Sequence, residues 1–272
     1  MRLASWNLAG WVRKIEEQVE SLISREPSII CLQEVRRKAI ETITRKFINS
    51  GYSYFQDSVL LAEEKNRCKG NMVVSKYPLQ HLPEYIAVPH AESVISVNVE
   101  TPHGNIKIHN AHIPNGSSYG WKKIETFEGI FKTLSSEEDN LRILCGDFNS
   151  PQTELPNGKT ITWGQRLSNN NKVLLRKKDL RWHQGELSVI RGLAEYNLVD
   201  AFRQLHGYGL EEYSFIVRRK GEIVSKRRFD HVFASQELQP QVCVYLHKFR
   251  EMKLSDHSPI EVLFSPKINY LV

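Results

Sequence analysis

The sequence predicts an α/β protein with helices packed outside β-sheets. The chain opens strand–helix–strand–helix, its apolar residues first alternating and then recurring every three to four positions. Shorter strand-like runs follow, two of them joined by Thr101-Pro102-His103-Gly104, a hairpin-type turn. The third mark is the apolar run Ile143-Leu144-Cys145, which has the length and aliphatic content of a buried strand and delivers Gly146-Asp147-Phe148-Asn149-Ser150-Pro151.

Residues 2–8 alternate as a short strand (Leu3, Ser5, Asn7) that stops at Gly10. Val12, Ile15, Val19, Leu22 and Ile23 predict a helix over 12–25, ended by Pro27. Residues 28–32 form an apolar strand ending in Gln33-Glu34. A second amphipathic helix over 37–48 uses Ile40, Ile43, Phe47 and Ile48, and Gly51 closes it. Strands are expected at 52–55, 58–62, 72–75, 93–100 and 105–112, then a helix at 121–134 (Ile124, Phe127, Phe131, Leu134) and the central strand. Residues 151–184 lack a clean period and are rich in Asn, Gly, Lys and Arg, which reads as a long functional loop. A helix over 186–196 and strands at 213–217, 228–234, 242–246 and 259–264 follow. No repeat or linker divides the chain, so residues 1–272 are expected to form one domain.

Composition narrows the class. The chain is 40% hydrophobic and 25% charged, as in an ordinary globular protein. A net charge of +6 and a pI near 9.0 favour an anionic partner. Cys31, Cys68, Cys145 and Cys243 show no zinc or CxxC spacing, and a reducing, cytoplasmic setting is expected. No stretch is long and apolar enough for a membrane span, and no signal-peptide pattern opens the chain.

Six segments end in polar groups that packing does not ask for: Ser5-Trp6-Asn7, Leu32-Gln33-Glu34, His112-Ile113-Pro114-Asn115-Gly116, Asp147-Phe148-Asn149, Arg228-Phe229-Asp230-His231 and Ser255-Asp256-His257-Ser258. Side chains two apart on a strand share a face, so Asp147 and Asn149 reach one pocket. Singly, each has a plainer reading: Glu34 as a helix N-terminal acid, Asp230 paired with Arg228, Asp256 as a turn residue, His257 as a solvated histidine. In this order, over residues 2 to 264, the six together resemble the endonuclease/exonuclease/phosphatase superfamily. Ile113-Pro114-Asn115-Gly116, Leu198-Val199-Asp200-Ala201-Phe202-Arg203 and Tyr213-Ser214-Phe215 are most similar to its exonuclease III / abasic-site endonuclease branch.

The resemblance implies a four-layer α/β sandwich of the DNase I-like kind: two packed, mostly antiparallel sheets flanked by helices, with the site at one end. It also implies a Mg²⁺- or Mn²⁺-dependent phosphodiester hydrolase. Such chemistry needs a cation to neutralise the phosphate, an activated water and help for the leaving oxygen. By resemblance, Glu34 ligates the metal with Asn7 and Asp256 beside it, Asp147 orients or deprotonates the water, and Asn149 donates to a phosphate oxygen. His257, its tautomer fixed by Asp230, bonds the scissile phosphate or moves a proton. Two departures stand out. Ala9 occupies a position where that branch has Asn or Asp, and His112 stands where it has Tyr, which is nearer to nonspecific DNases and phosphatases; an imidazole there could stabilise the transition state or protonate the leaving group.

Basic loops point to DNA. Arg218, Arg219, Lys220, Lys226, Arg227 and Arg228 place six bases and one acid, Glu222, in eleven residues. Lys172, Arg176, Lys177, Lys178 and Arg181 stand beside Trp182 and His183; Lys65, Arg67 and Lys69 form a third group, and Trp121 precedes Lys122-Lys123. Bases with interleaved aromatics suit phosphate contact plus stacking, and Phe215 and Asn115 join them as substrate-binding candidates. The expectation is a monomeric nuclease acting on DNA, with no membrane or protein partner. Two other readings use the same residues: hydrolysis of a small or lipid phosphate ester, and a non-catalytic nucleic-acid-binding module.

Overall fold

The structure is a computed structural model that describes residues 1–61, 69–136, 138, 140–167, 173–175 and 179–265. Strand β1 (Arg2–Asn7) leads through a 3-10 turn into α1 (Ile15–Ile23), β2 (Ile29–Arg36) and α2 (Ile40–Ile48), then β3 (Tyr54–Asp57), β4 (Lys69–Ser75) and β5 (Leu79–His81). The hairpin β6 (Val94–Thr101) and β7 (Gly104–His112) is followed by α3 (Gly116–Tyr119), α4 (Lys122–Leu134) and the central strand β8 (Leu141–Asp147). Short strands β9 (Thr153–Glu154), β10 (Thr160–Ile161), β11 (Gln165–Leu167) and β12 (Val173–Leu175) precede α5 (Leu180–Ile190). Then come β13 (Val199–Asp200), α6 (Ala201–His206), the ribbon β14 (Phe215–Arg219) and β15 (Glu222–Arg227), β16 (Asp230–Ala234), β17 (Pro240–Tyr245), α7 (His247–Glu251) and β18 (Ile260–Phe264).

Two six-stranded sheets result, ordered β17-β18-β1-β2-β4-β3 and β13-β16-β8-β7-β6-β5. Each holds one parallel pair at its centre, β1–β2 and β7–β8, with antiparallel neighbours on both sides. Period-two alternation divides the side chains between layers. Leu3, Ile29, Cys31 and Val73 of the first sheet meet Ile95, Ile108, Ile143, Cys145 and Val232 of the second in a shared core. Their neighbours Ala4, Trp6, Ile30, Leu32, Met72 and Val74 face the other way, toward Val19 and Leu22 of α1 and Ile43 and Phe47 of α2. On the opposite side Leu144 and Phe233 pack on Ile124, Phe127, Ile130 and Leu134 of α4 and Val189 and Ile190 of α5. Helix, sheet, sheet, helix: both faces of the central strands are covered, which is why β8 reads as a continuous apolar run. Among the described residues no helix is long and apolar enough to cross a membrane.

Several expectations change. The strand expected at 58–62 is a 3-10 turn, Val59–Leu61, because the Asp57 carboxylate accepts the Val59 N–H at 3.0 Å and turns the chain; residue 62 lies outside the described residues. The loop expected over 151–184 contains the ribbons β9–β10 and β11–β12, whose strands of two or three residues are too short to show a period. Helix α5 begins at Leu180, six residues before the expected start, and a separate 3-10 segment covers Gly192–Tyr196. Its buried face carries Gly185 and Glu186, which hides the apolar stripe; a Cβ on Gly185 would come within 2.7 Å of Ile124 Cγ2 on α4. The short α6, capped by Asp200 accepting the Arg203 N–H at 3.0 Å, and β5, β15 and α7 are additions to the elements the sequence predicts.

Candidate active site

The parallel pairs bring strand ends to one edge of the sandwich. Strand β1 ends at Asn7, β7 at His112 and β8 at Asp147. Register then places Asp147 between His112 on β7 and Asp230 on β16. Gly146 has φ +134, and a Cβ there would sit 1.8 Å from the Ala111 carbonyl oxygen, so only glycine lets β7 and β8 approach this closely. On β2 the register shifts between Leu32 and Val35, and Glu34 takes φ +55; the bulge turns its carboxylate toward the site. Beneath, Asn110 ties the sheets together. Its amide donates to the Leu32 and Met72 carbonyls at 2.9 and 3.0 Å, and its oxygen accepts from Gln33 Nε2 at 2.7 Å.

The site is built on Asp147. Its Oδ2 accepts from Asn7 Nδ2 at 2.9 Å and its Oδ1 from the Asn149 backbone N–H at 2.9 Å. His257 Nδ1 stands 2.8 Å from Asp230 Oδ2, while its Nε2 lies 3.8 Å from Asp147 Oδ2. Burial alone would push the His257 pKa down, but Asp230, Asp147 and Asp256 raise it to about 10, so the ring is an imidazolium at neutral pH. Burial and the neighbouring Asp230 push the Asp147 carboxyl up, against the pull of His257 and His112. His112 Nε2 faces Glu34 Oε1 at 3.6 Å and Asp147 Oδ2 at 3.8 Å, and Lys69 Nζ pairs with the other Glu34 oxygen. Burial pushes the Glu34 pKa up, but His112 and Lys69 outweigh it and hold the carboxyl below its usual range.

A family model for the endonuclease/exonuclease/phosphatase family matches residues 4–257. The chain belongs to that family. Solved structures share the fold. An AP endonuclease from Archaeoglobus fulgidus aligns with a TM-score of 0.70 at 19% identity, over 97% of this chain and 99% of that one. The 3′ phosphatase NExo from Neisseria, bound to product DNA hairpin, gives 0.66 at 16%, over 97% and 99%. D. rerio TDP2 complexed with single-strand DNA product gives 0.66 at 13%, over 97% and 98%. At these identities the likeness concerns the fold.

The family's divalent cation fits the residues present. Asp147, Asp230 and His257 each offer a ligand atom within 4.8 Å of the others, and Asp230 Oδ1 is buried without any partner. The carboxylate oxygens are what suits Mg²⁺ or Mn²⁺, ions that prefer oxygen ligands and keep several waters. Asp256 is exposed and, among the described residues, forms no ion pair or side-chain hydrogen bond; its charge helps raise the His257 pKa. Asp230 pairs with His257 and leaves Arg228 to Glu154 and Asp200, so its plainer reading fails. His257 is buried, so it is no solvated histidine.

Two polar networks hold this family site from behind. Lys123 Nζ, buried on α4, donates to the Asn149 carbonyl at 2.9 Å and pairs with Glu186 at 2.7 Å; Glu186 also accepts from Trp182 Nε1 and the Trp163 N–H. Asn149 itself, with φ +49, donates its side-chain amide to the Ile113 carbonyl at 2.9 Å, leaving one amide hydrogen for a ligand. Second, Arg228 forks onto Glu154 at 2.7 and 2.8 Å and onto Asp200 at 2.7 Å, and His231 bridges Asp200 to the Ser150 carbonyl at 3.2 and 2.9 Å.

The substrate-binding candidates divide. Phe215 lies against His257, ring centroids 4.8 Å apart, and stacks on Phe229 at 5.7 Å. Arg227 lies 5.5 Å over Trp163, an exposed indole whose Nε1 donates to the Asn149 carbonyl. Trp163 is absent from the candidates the sequence supplies; its place as the first Trp after Gly-Asp-x-Asn is the one signal the sequence gives. Trp121 and Trp182 meet at 5.3 Å, with Arg181 over Trp121 and paired to Glu128. Asn115 caps α3, accepting the Ser118 N–H at 2.9 Å. Arg218, Arg219 and Lys220 are exposed at the β14–β15 turn, while Lys65, Arg67, Lys172, Arg176, Lys177 and Lys178 lie outside the described residues.

Proposed function

We propose that the chain is a divalent-metal-dependent phosphodiesterase that cleaves DNA, in the manner of exonuclease III and the abasic-site endonucleases. One observation carries the reading: Asp147, oriented by Asn7 and the Asn149 N–H, faces an imidazolium that Asp230 holds by its other nitrogen. Asp147 is placed to orient and deprotonate a water. His257 holds its Nε2 proton toward the same point and is placed to hand it to a phosphate oxygen. Asn149, whose amide has one hydrogen left beside its bond to the Ile113 carbonyl, can donate to a phosphate oxygen. Glu34, with Asn7 and Asp147, would hold Mg²⁺ or Mn²⁺, which when bound neutralises phosphate charge and lowers the pKa of water. The wall of Phe215, Phe229 and Trp163 with Arg227 beside it suits a sugar or base next to a phosphate.

The test is cleavage of labelled DNA: a duplex with one abasic site, an intact duplex and a single strand, beside a soluble phosphomonoester, each with Mg²⁺, Mn²⁺ and chelator. The expected result is metal-dependent DNA cleavage that Asp147→Ala abolishes with the fold retained. Incision at the lesion alone makes it an abasic endonuclease, and shortening from 3′ ends an exonuclease. Hydrolysis of the phosphomonoester with every DNA intact would overturn the proposal.

A further inference from the structure

We propose that Arg227 grips a second phosphate of the substrate, one that is not cleaved, so that this end of the site selects a nucleotide chain over a small phosphate ester. This deepens the phosphodiesterase reading above and rests on it. Other cations around the site already face carboxylates: Lys69 meets Glu34, Lys123 meets Glu186 at 2.7 Å, and Arg228 meets Glu154 and Asp200, each at 2.7 Å. Arg227 has no such partner among the described residues. It is half-buried, and burial pushes its pKa down with no carboxylate offsetting the shift. Its Nη1 donates to the Gln152 carbonyl, and its buried Nε has no partner. A guanidinium carries five N–H donors, so most of this fork is left for an anion the protein does not itself supply. A charge taken out of water in that state destabilises until the anion arrives.

The place of Arg227 says which anion that is. Phe215 and Arg227 stand opposite one another in the β14–β15 register, so their side chains share one face of the ribbon. The Phe215 ring in turn lies 4.8 Å from that of His257. The guanidinium also lies 5.5 Å over the Trp163 indole, whose Nε1 donates to the Asn149 carbonyl at 3.0 Å. Arg227 is thus linked through one aromatic ring to His257 and through another to Asn149. The main charges acting on His257 are Asp230, Asp147 and Asp256, and those acting on Asp147 are His257, Asp230 and His112. Arg227 belongs to neither set, so the reacting phosphate falls to His257 and a neighbouring one to Arg227. Stacking on Trp163 and the bond to Gln152 hold the planar fork in place, which suits two-point contact with a phosphate. A nucleotide chain repeats its phosphates and brings a second one alongside; a small phosphomonoester has none to offer.

The experiment measures binding of a fluorescein-labelled single DNA strand to the full-length protein by anisotropy, in chelator, so that no turnover is needed. The strand is used unmodified and with one phosphate at a time replaced by a neutral methylphosphonate; the cleaved linkage is mapped separately with Mg²⁺ or Mn²⁺ added. Arg227→Gln should weaken binding about tenfold or more and reduce the slope of log affinity against log salt by about 0.7, while Arg227→Lys, which keeps the charge, should retain the slope. In the wild type a methylphosphonate beside the cleaved linkage should weaken binding, and in Arg227→Gln the same replacement should cost nothing further. Circular dichroism checks each fold, and should Arg227→Gln not fold, the wild-type scan and Arg227→Lys still decide. An unchanged salt slope in Arg227→Gln, or a wild-type scan in which only the cleaved linkage matters, overturns this inference and leaves the phosphodiesterase reading standing. The expected binding pattern without cleavage under any metal overturns that reading and keeps Arg227 as a phosphate contact.

Discussion

Two clusters of buried charge lie on either side of β16, drawn from one tetrapeptide, Arg228-Phe229-Asp230-His231. On one side Arg228 meets Glu154 and Asp200, and Arg203 meets Glu154 as well. Each guanidinium nitrogen of Arg228 has a partner, and both Glu154 oxygens accept. On the other side Asp230, Asp147, His257, Glu34 and His112 are equally ionic but incompletely joined: Asp230 Oδ1 has no partner, and three carboxylate–imidazole contacts stand at 3.6 to 3.8 Å. In the first cluster every carboxylate oxygen facing Arg228 is paired and only Arg203 Nε is left without a partner, an arrangement that holds a fold together. The second cluster, buried at Asp147, Asp230 and His257 and part-exposed at Glu34 and His112, is kept open at a cost, because unpaired buried charge destabilises unless a ligand completes it. The difference between structural and chemical charge is therefore visible in hydrogen-bond completeness rather than in residue type.

Substitutions should separate the two clusters, the largest effect coming from the open one. Asp147→Asn should lower DNA cleavage by on the order of 10³-fold while leaving the urea-unfolding free energy unchanged or raised, since it removes an anion that burial disfavours; equal loss of stability and activity would put Asp147 in the structural class. Arg228→Leu should do the reverse, costing about 3–5 kcal/mol in urea unfolding by stranding Glu154 and Asp200, with activity falling only as the fold is lost. The pH dependence should follow the closed cluster. Burial pushes the Glu154 pKa up, but Arg228 and Arg203 outweigh it and hold it at about 2, and burial of Asp200 is likewise outweighed by Arg228 and His231, which hold it well below its usual value. Their stabilisation is complete above the ordinary carboxylate range near 4.5 and is lost as pH falls toward 2. Unfolding free energy measured across that window should therefore fall with acid, and Glu154→Gln should flatten the slope. The smallest effect is Asn110→Ala, which should cost about 1–3 kcal/mol by leaving the Leu32 and Met72 carbonyls unpaired between the sheets.

The open cluster was largely legible in the sequence, because its members sit at strand ends where polar residues have no packing reason to be. Asn7, Glu34, His112, Asp147, Asp230 and His257 converge as expected, and the layered α/β fold follows from periodicity on the long strands and helices. The partners of the closed cluster were not legible. Glu154 lies on a two-residue strand, and its pairing with Arg228 joins positions 74 apart. Lys69 reads as surface charge beside Lys65 and Arg67 until the β2–β4 register sets it opposite Arg36, next to Glu34. Glu186 breaks the apolar stripe of α5 because it pairs with Lys123, so the same interaction that holds the Asn149 carbonyl hid the start of the helix. The last motif divides: His257 turns inward, and Asp256 beside it is exposed.

The comparison predicts where a cation goes. Crystals soaked in Mn²⁺ and measured at the manganese edge should show their strongest anomalous peak beside Asp147 and Glu34, with none at Glu154 or Asp200, whose charge is already matched. A saturating soak that leaves the Asp147 cluster empty would contradict the account, because its open contacts would then be structural after all.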